Sequence, residues 1–176
     1  MGMKRALVVI AALAVSVLFC PGCYTLRSES IPAEMTTIHV GFFENTSQLV
    51  VSYLSQNFTE ALKDRIRSTT RLSIVQGESP ATMTGTITDY RIAPVSIQAT
   101  NNNAPPIAGA SMLSITVHVK FSFDSKIPAN KKLSFEQDFT RTANYSGDIS
   151  SQEQALITTI DKQLIDDIFN KAFNNW

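Results

Sequence analysis

The sequence predicts an α+β fold: a two-layer sandwich with two helices packed on one face of a mixed four- to five-stranded sheet. Three observations carry this. Leu54, Phe58, Leu62 and Ile66 recur at spacing four, and Leu156, Ile157, Ile160, Leu164, Ile168 and Ala172 form a second stripe, each the buried side of an amphipathic helix. Ile115, Val117, Val119, Phe121 and Phe123 alternate with Ser114, Thr116, His118, Lys120 and Ser122, the pattern of a strand with one covered and one wet face. The order strand, helix, three or four strands, helix then fits helices segregated to one side of a sheet.

Each element follows from its residues. Thr37 to Phe43 is apolar and β-prone, a buried strand. Glu44 to Gln48 is polar and turn-like. Ser52 is placed to cap the first helix, whose outer positions carry Glu60, Lys63, Asp64 and Arg67. Arg71 to Gln76 is a short strand, and the first helix is its crossover. In the long β region that follows, Thr82, Thr84, Thr86 and Thr88 alternate with Met83, Gly85 and Ile87. Tyr90 and Ile92 then keep the opposite parity, which one extra residue near Asp89, a bulge, explains. Asn101 to Pro106 is an irregular loop.

Asp124 to Lys132 turns the chain after the alternating strand, and Leu133, Phe135 and Phe139 continue the apolar face. A hairpin centred there sets Lys120 against Glu136 and His118 against Asp138, opposite charges worth roughly 0.2–1 kcal/mol per pair. Ser150 to Glu153 reads as a capping box for the last helix, widened by Ile165, Phe169 and Phe173 and running nearly to Trp176.

The N-terminus is of another kind. Lys4 and Arg5 precede an uncharged apolar run from Ala6 to Phe19. As a helix this run is roughly 21 Å long, short for about 30 Å of hydrocarbon. With the small-residue exit at Gly22 it reads as a cleaved signal peptide, residues 1–22, ahead of Cys23 as lipid-attachment residue. An ordinary secretory peptide ending near a cysteine is the alternative. Residues 23–35 are then an acylated tether and residues 36–176 a single α+β domain. Cleavage removes Cys20 and acylation consumes Cys23, so the mature chain relies on its core rather than on disulfides. Several acyl chains hold a membrane firmly where one does not.

Composition narrows the function. Lys plus Arg and Asp plus Glu are both 15, a formal charge of zero, which argues against a nucleic-acid binder. Two Cys and two His are too few for an ordinary structural zinc site, and no cofactor is expected. There is no glycine-rich phosphate loop and no G-x-S-x-G. His118 opposite Asp138 resembles half of a catalytic triad, and no serine nucleophile completes it. The chain reads as a non-enzyme. The wet sheet face suits either plain solvent or a polar partner. Lys126, Lys131 and Lys132 at one hairpin tip either keep the sheet edge soluble or attract phosphate groups.

Several blocks together resemble one family. They are Cys23-Tyr24-Thr25-Leu26 and Ser30-Ile31-Pro32, then Phe42-Phe43-Glu44-Asn45 and Phe58-Thr59-Glu60-Ala61-Leu62-Lys63-Asp64. Gly85-Thr86-Ile87-Thr88-Asp89-Tyr90, Asp167-Ile168-Phe169-Asn170-Lys171 and Asn174-Asn175-Trp176 follow. In order and over nearly the whole mature chain, they resemble the LptE family of outer-membrane lipoproteins. The resemblance implies a fold of two helices on a mixed sheet. It also implies a partner, the β-barrel LptD that inserts lipopolysaccharide into the outer leaflet, with the lipoprotein plugging the lumen and helping the barrel assemble. The wet face would then meet a polar barrel interior.

The resemblance also implies contact with lipopolysaccharide, for which Lys126, Lys131, Lys132, His118 and Lys120 are the candidates by charge and position. Cys23 matches the lipid-attachment position. Tyr24 stands where a retention signal places Asp, and Arg27-Ser28-Glu29 is not the acidic cluster of surface-exported lipoproteins. The expected location is the outer membrane, lipid-anchored, on the periplasmic side and in the barrel lumen. The competing function is a stand-alone periplasmic lipoprotein that binds an amphiphile. It requires an apolar cavity between sheet and helices.

Overall fold

The computed structural model describes residues 31–49, 51–95 and 110–174. Cys23, the signal peptide, most of the tether, the Asn101 to Pro106 loop, Trp176 and the side chain of Lys131 lie outside the described residues.

The elements in chain order are β1 (Thr37–Val40), β2 (Glu44–Asn45), α1 (Leu54–Thr69), β3 (Ser73–Val75), β4 (Ala81–Pro94), β5 (Ala110–Phe123), a 3₁₀ turn (Pro128–Leu133), β6 (Phe135–Ser146) and α2 (Glu153–Phe173). The sheet is mixed and six-stranded, in the order β3-β1-β4-β5-β6 with β2 also on β4. β1 is parallel to β3 and to β4, so α1 is the crossover. β4, β5 and β6 form the antiparallel meander. α1 packs toward β2 and β3, α2 over β5 and β6.

The strand predicted over Thr37 to Phe43 breaks at Gly41, and the predicted turn starting at Glu44 holds the sixth strand. β1 and β2 are two segments of one edge: they meet β4 at Ala81 to Met83 and again at Thr86 to Ile87. Between them the amide of Phe43 leaves the ladder and donates to Thr59 Oγ1 on α1 at 3.0 Å. Phe43 drops fully into the core against Phe58, ring centroids 5.3 Å apart. The floor under it is Gly85. A Cβ there would stand 2.5 Å from Phe43 Cε1 and 2.2 Å from the carbonyl oxygen of His118. Gly85→Ala is therefore expected to cost about 1–3 kcal/mol through overpacking, read as a lower urea midpoint at unchanged slope; an unaltered midpoint would refute the tight fit.

The bulge is where the parity switch puts it: the β4–β5 register shifts between Ile87 and Asp89. The hairpin register is also as expected, with Lys120 opposite Glu136 and His118 opposite Asp138. Leu54, Phe58, Leu62 and Ile66 are fully buried, as are Ile160, Leu164 and Ile168 of α2. Met35, in the predicted tether, is also fully buried.

Both predicted caps are corrected. α1 starts after Tyr53 and α2 after Gln152, and neither residue caps through its side chain. The Ser150 hydroxyl donates to Asp148 instead. The Glu153 carboxylate, which a capping box would fold back, accepts the Tyr90 hydroxyl at 2.6 Å and so ties α2 to β4. Further ties are polar. Arg141 grips Asp167 with two N–H groups, at 2.5 and 2.7 Å, and Arg65 on α1 meets Asp166 on α2 at 3.0 Å.

Candidate functional site

Strand geometry alone assembles the polar face. Successive side chains of a strand point to opposite sides, so once Ile115, Val117 and Val119 are committed to the core, Thr116, His118 and Lys120 must face away from the helices. The ladder aligns their partners. Thr86 and Glu136 flank this row, Asp89 stands opposite Thr116, and Asp138 opposite His118. The Thr116 and Thr140 hydroxyls bond at 2.9 Å. The face is thus a lawn of hydroxyls around one charged knot.

The knot is His118 between two carboxylates. Its Nδ1 lies 2.7 Å from Asp138 Oδ1 and its Nε2 3.3 Å from Glu136 Oε1. The Lys120 ammonium meets the other Glu136 oxygen at 3.2 Å. Both ring nitrogens face acceptors, and only the imidazolium can donate from both. The Asp138 hydrogen bond, then that of Glu136, therefore hold His118 above its ordinary range. Lys120, then His118, hold Glu136 below its own. His118 Nε2 is occupied by Glu136 rather than by a serine hydroxyl, so no triad forms.

The sign of the linkage is fixed by these directions. A raised histidine contributes stability that is fully present below its unfolded pKa near 6.5 and is lost as pH rises through the folded value. By NMR, the His118 imidazole is expected to titrate above 6.5, and Asp138→Asn to bring it down. A wild-type titration at or below 6.5 would contradict the paired geometry.

The hairpin tip is a separate place. Lys126 and Lys132 are exposed there, with Ile127 half exposed between them. The tip is pinned to the chain's N-terminal side: the Ser125 hydroxyl and Asn130 Nδ2, the latter at 2.7 Å, both donate to Glu34 Oε1. Those bonds, the Ser125 one first, keep the Glu34 carboxyl below its usual range. The structure thus joins His118 and Lys120 through Glu136 and sets Lys126 and Lys132 apart from them. Among the described residues no cluster of His, Cys, Asp and Glu could hold a metal ion, and no helix is long and apolar enough to cross a membrane.

Comparison with known proteins bears on this arrangement. The model of the lipopolysaccharide-assembly family LptE matches residues 35–172, from two residues before β1 almost to the end of α2. The chain belongs to the LptE family. It therefore has a role in lipopolysaccharide assembly, as a lipoprotein of the cell envelope. Two solved structures resemble this LptE chain in fold. One is the uncharacterized lipoprotein B of Nitrosomonas europaea, 14% identical, TM-score 0.50, over 80% of this chain and 83% of that one. The other is a hypothetical protein of Chlamydia trachomatis, 9% identical, TM-score 0.50, over 80% of this chain and 99% of that one. No curated protein matches.

Two polar features of this LptE chain were not singled out in the sequence. Glu34 acts across 91 and 96 residues, which no local pattern signals. Asp161 lies in the buried stripe of α2, where it is 6% exposed. Its signal was present, because Ile157, Asp161 and Ile165 recur at spacing four.

Proposed function

We propose that this protein is acylated at Cys23 after removal of residues 1–22, and that it seats in and helps assemble an LptD-type outer-membrane barrel, supporting the insertion of lipopolysaccharide. The observation that carries the reading is the uncovered face of the sheet. A plug must own a complete core and present a hydrophilic exterior to a water-filled lumen. The buried residues of this fold are gathered on the helix side, and β4, β5 and β6 turn threonines and mutually paired charges outward. Family membership supports the same direction. Lys126, Lys131 and Lys132, with His118 and Lys120, are the proposed contacts for the barrel or for lipopolysaccharide phosphates. The stand-alone carrier reading asks for a cavity between sheet and helices. One groove among the described residues is lined by helices α1 and α2 and Tyr53, with no sheet residue in its wall.

Affinity capture of the tagged full-length protein from detergent-solubilised outer membranes is expected to bring down a near-stoichiometric large β-barrel. Photo-crosslinkers at Thr86 and Thr116 should join it to that barrel, and crosslinkers on the outer helix positions Lys63 and Lys162 should do so less. Recovery of the protein alone from membranes rich in the barrel would overturn the plug reading. Crosslinks confined to the helices would overturn the assignment of the sheet face.

A further inference from the structure

Between α1 and α2 runs a groove of about 550 Å³. Its apolar wall includes Ala61, Ile157 and Ile165. Set in that wall is Asp161, 6% exposed, whose Oδ1 has no hydrogen-bond partner. A carboxylate taken from water without a donor or a counter-charge is costly. The two arginines nearby are ion-paired, although Arg65 Nε, like Asp161 Oδ1, is buried without a hydrogen-bond partner. Arg65, across the groove on α1, bonds Asp166 at 3.0 Å and lies over the Phe169 ring at 5.0 Å. Arg67 is paired with Asp64 at 2.8 Å. Lys162 also lines the groove, and burial holds the Asp161 carboxyl above its ordinary range. Tyr53, at the same groove, is held up by burial first and then by the charges of Glu153 and Asp161. Of the three carboxylates in the lining, Asp64 is paired with Arg67 and Asp166 with Arg65, which leaves Asp161, among the described residues, with no ion pair.

We propose that the groove between α1 and α2 is a binding site for an organic ammonium ion, its apolar body against Ala61, Ile157 and Ile165 and its N–H on Asp161 Oδ1. A charge-assisted N–H bond to the Asp161 carboxylate selects a cation over a neutral alcohol or amide, and the apolar wall selects an organic body over a bare metal ion. Binding favours the carboxylate form of Asp161, so near neutral pH, where the free group is partly protonated, a fraction of a proton leaves as the ligand enters. The site lies on the helix side and is independent of any barrel contact of the sheet.

The test is calorimetry on the full chain in detergent with 2-phenylethylammonium, in two buffers of different ionisation enthalpy near neutral pH. Saturable binding with proton release is expected. The neutral isostere 2-phenylethanol should bind at least about tenfold more weakly, and Asp161→Asn should weaken the ammonium about tenfold and abolish the proton release. Asp161→Asn removes a buried charge while keeping the shape, so its fold, checked by circular dichroism, should survive. Equal binding of alcohol and ammonium, equal binding by Asp161→Asn, or no saturable binding up to millimolar concentration would each overturn the site. So would a dimer in sedimentation that Ala61→Trp dissociates, because a second copy would then be the occupant.

Discussion

Phe121→Ala should lower stability by about 3–5 kcal/mol, the cost of emptying a large aromatic site in a packed core. Phe121 is 1% exposed and stands where three elements meet. Its ring lies 5.7 Å from that of Phe135 on β6 and 5.8 Å from that of Phe173 on α2. Phe173 in turn stacks on Phe169 at 5.1 Å, and Phe135 meets Phe139 at 6.2 Å. Removing one ring therefore strips partners from a whole aromatic row, and the end of α2 cannot collapse into the hole without unseating the Arg141–Asp167 clasp. Against a typical total of about 5–15 kcal/mol, this brings the domain close to unfolding. Phe121→Leu, which keeps most of the volume, should cost much less. Chemical denaturation reads both; a loss below about 1 kcal/mol in Phe121→Ala would show that the row is not the joint between sheet and helix.

What could be read from the sequence follows from how local the determining physics is. β5 was legible because one covered face imposes a period of two that a short window contains. Its pairing with β6 was legible because register and face are locked together, so that placing Phe121 and Phe135 inside forces His118 onto Asp138. The bulge showed as a change of parity between Ile87 and Tyr90. β2 was missed because two residues, Glu44 and Asn45, cannot display a period; their strand exists only through the free edge of β4. The caps failed because Ser150 and Glu153 had better partners, one two residues away and one in β4, sixty-three residues earlier. Among the candidate site residues, the pairs on the sheet face were legible for the same reason as the register, whereas the Glu34 clasp on the lysine tip joins segments that only the complete fold brings together.

Asp161 marks the limit of such reading and gives the sharpest pH dependence in the molecule. An acid inside an apolar stripe is ordinarily taken as a solvated neighbour of the stripe, yet here the two helices close over it. Burial pushes its carboxyl from 3.8 up to about 7. Because the folded value is the higher one, the native state binds more protons than the unfolded chain between these limits. Stability is then full below about 3.8 and falls as pH rises to about 7. The whole displacement amounts to about 4 kcal/mol at 1.36 kcal/mol per pH unit. Asp161→Asn, uncharged at every pH, should therefore be more stable than the wild type by a few kcal/mol at pH 8 and close to it at pH 4. Parallel denaturation curves across that range read the difference. Stabilisation of the same size at both ends would assign the effect to packing instead, and no stabilisation at pH 8 would mean that the carboxylate finds a donor in solution. The sign also bears on the groove. A site that weakens the empty protein at neutral pH and is relieved by an incoming ammonium gives the ligand a differential affinity for the folded state. The wild type should therefore gain thermal stability with added 2-phenylethylammonium at pH 8, and Asp161→Asn should not.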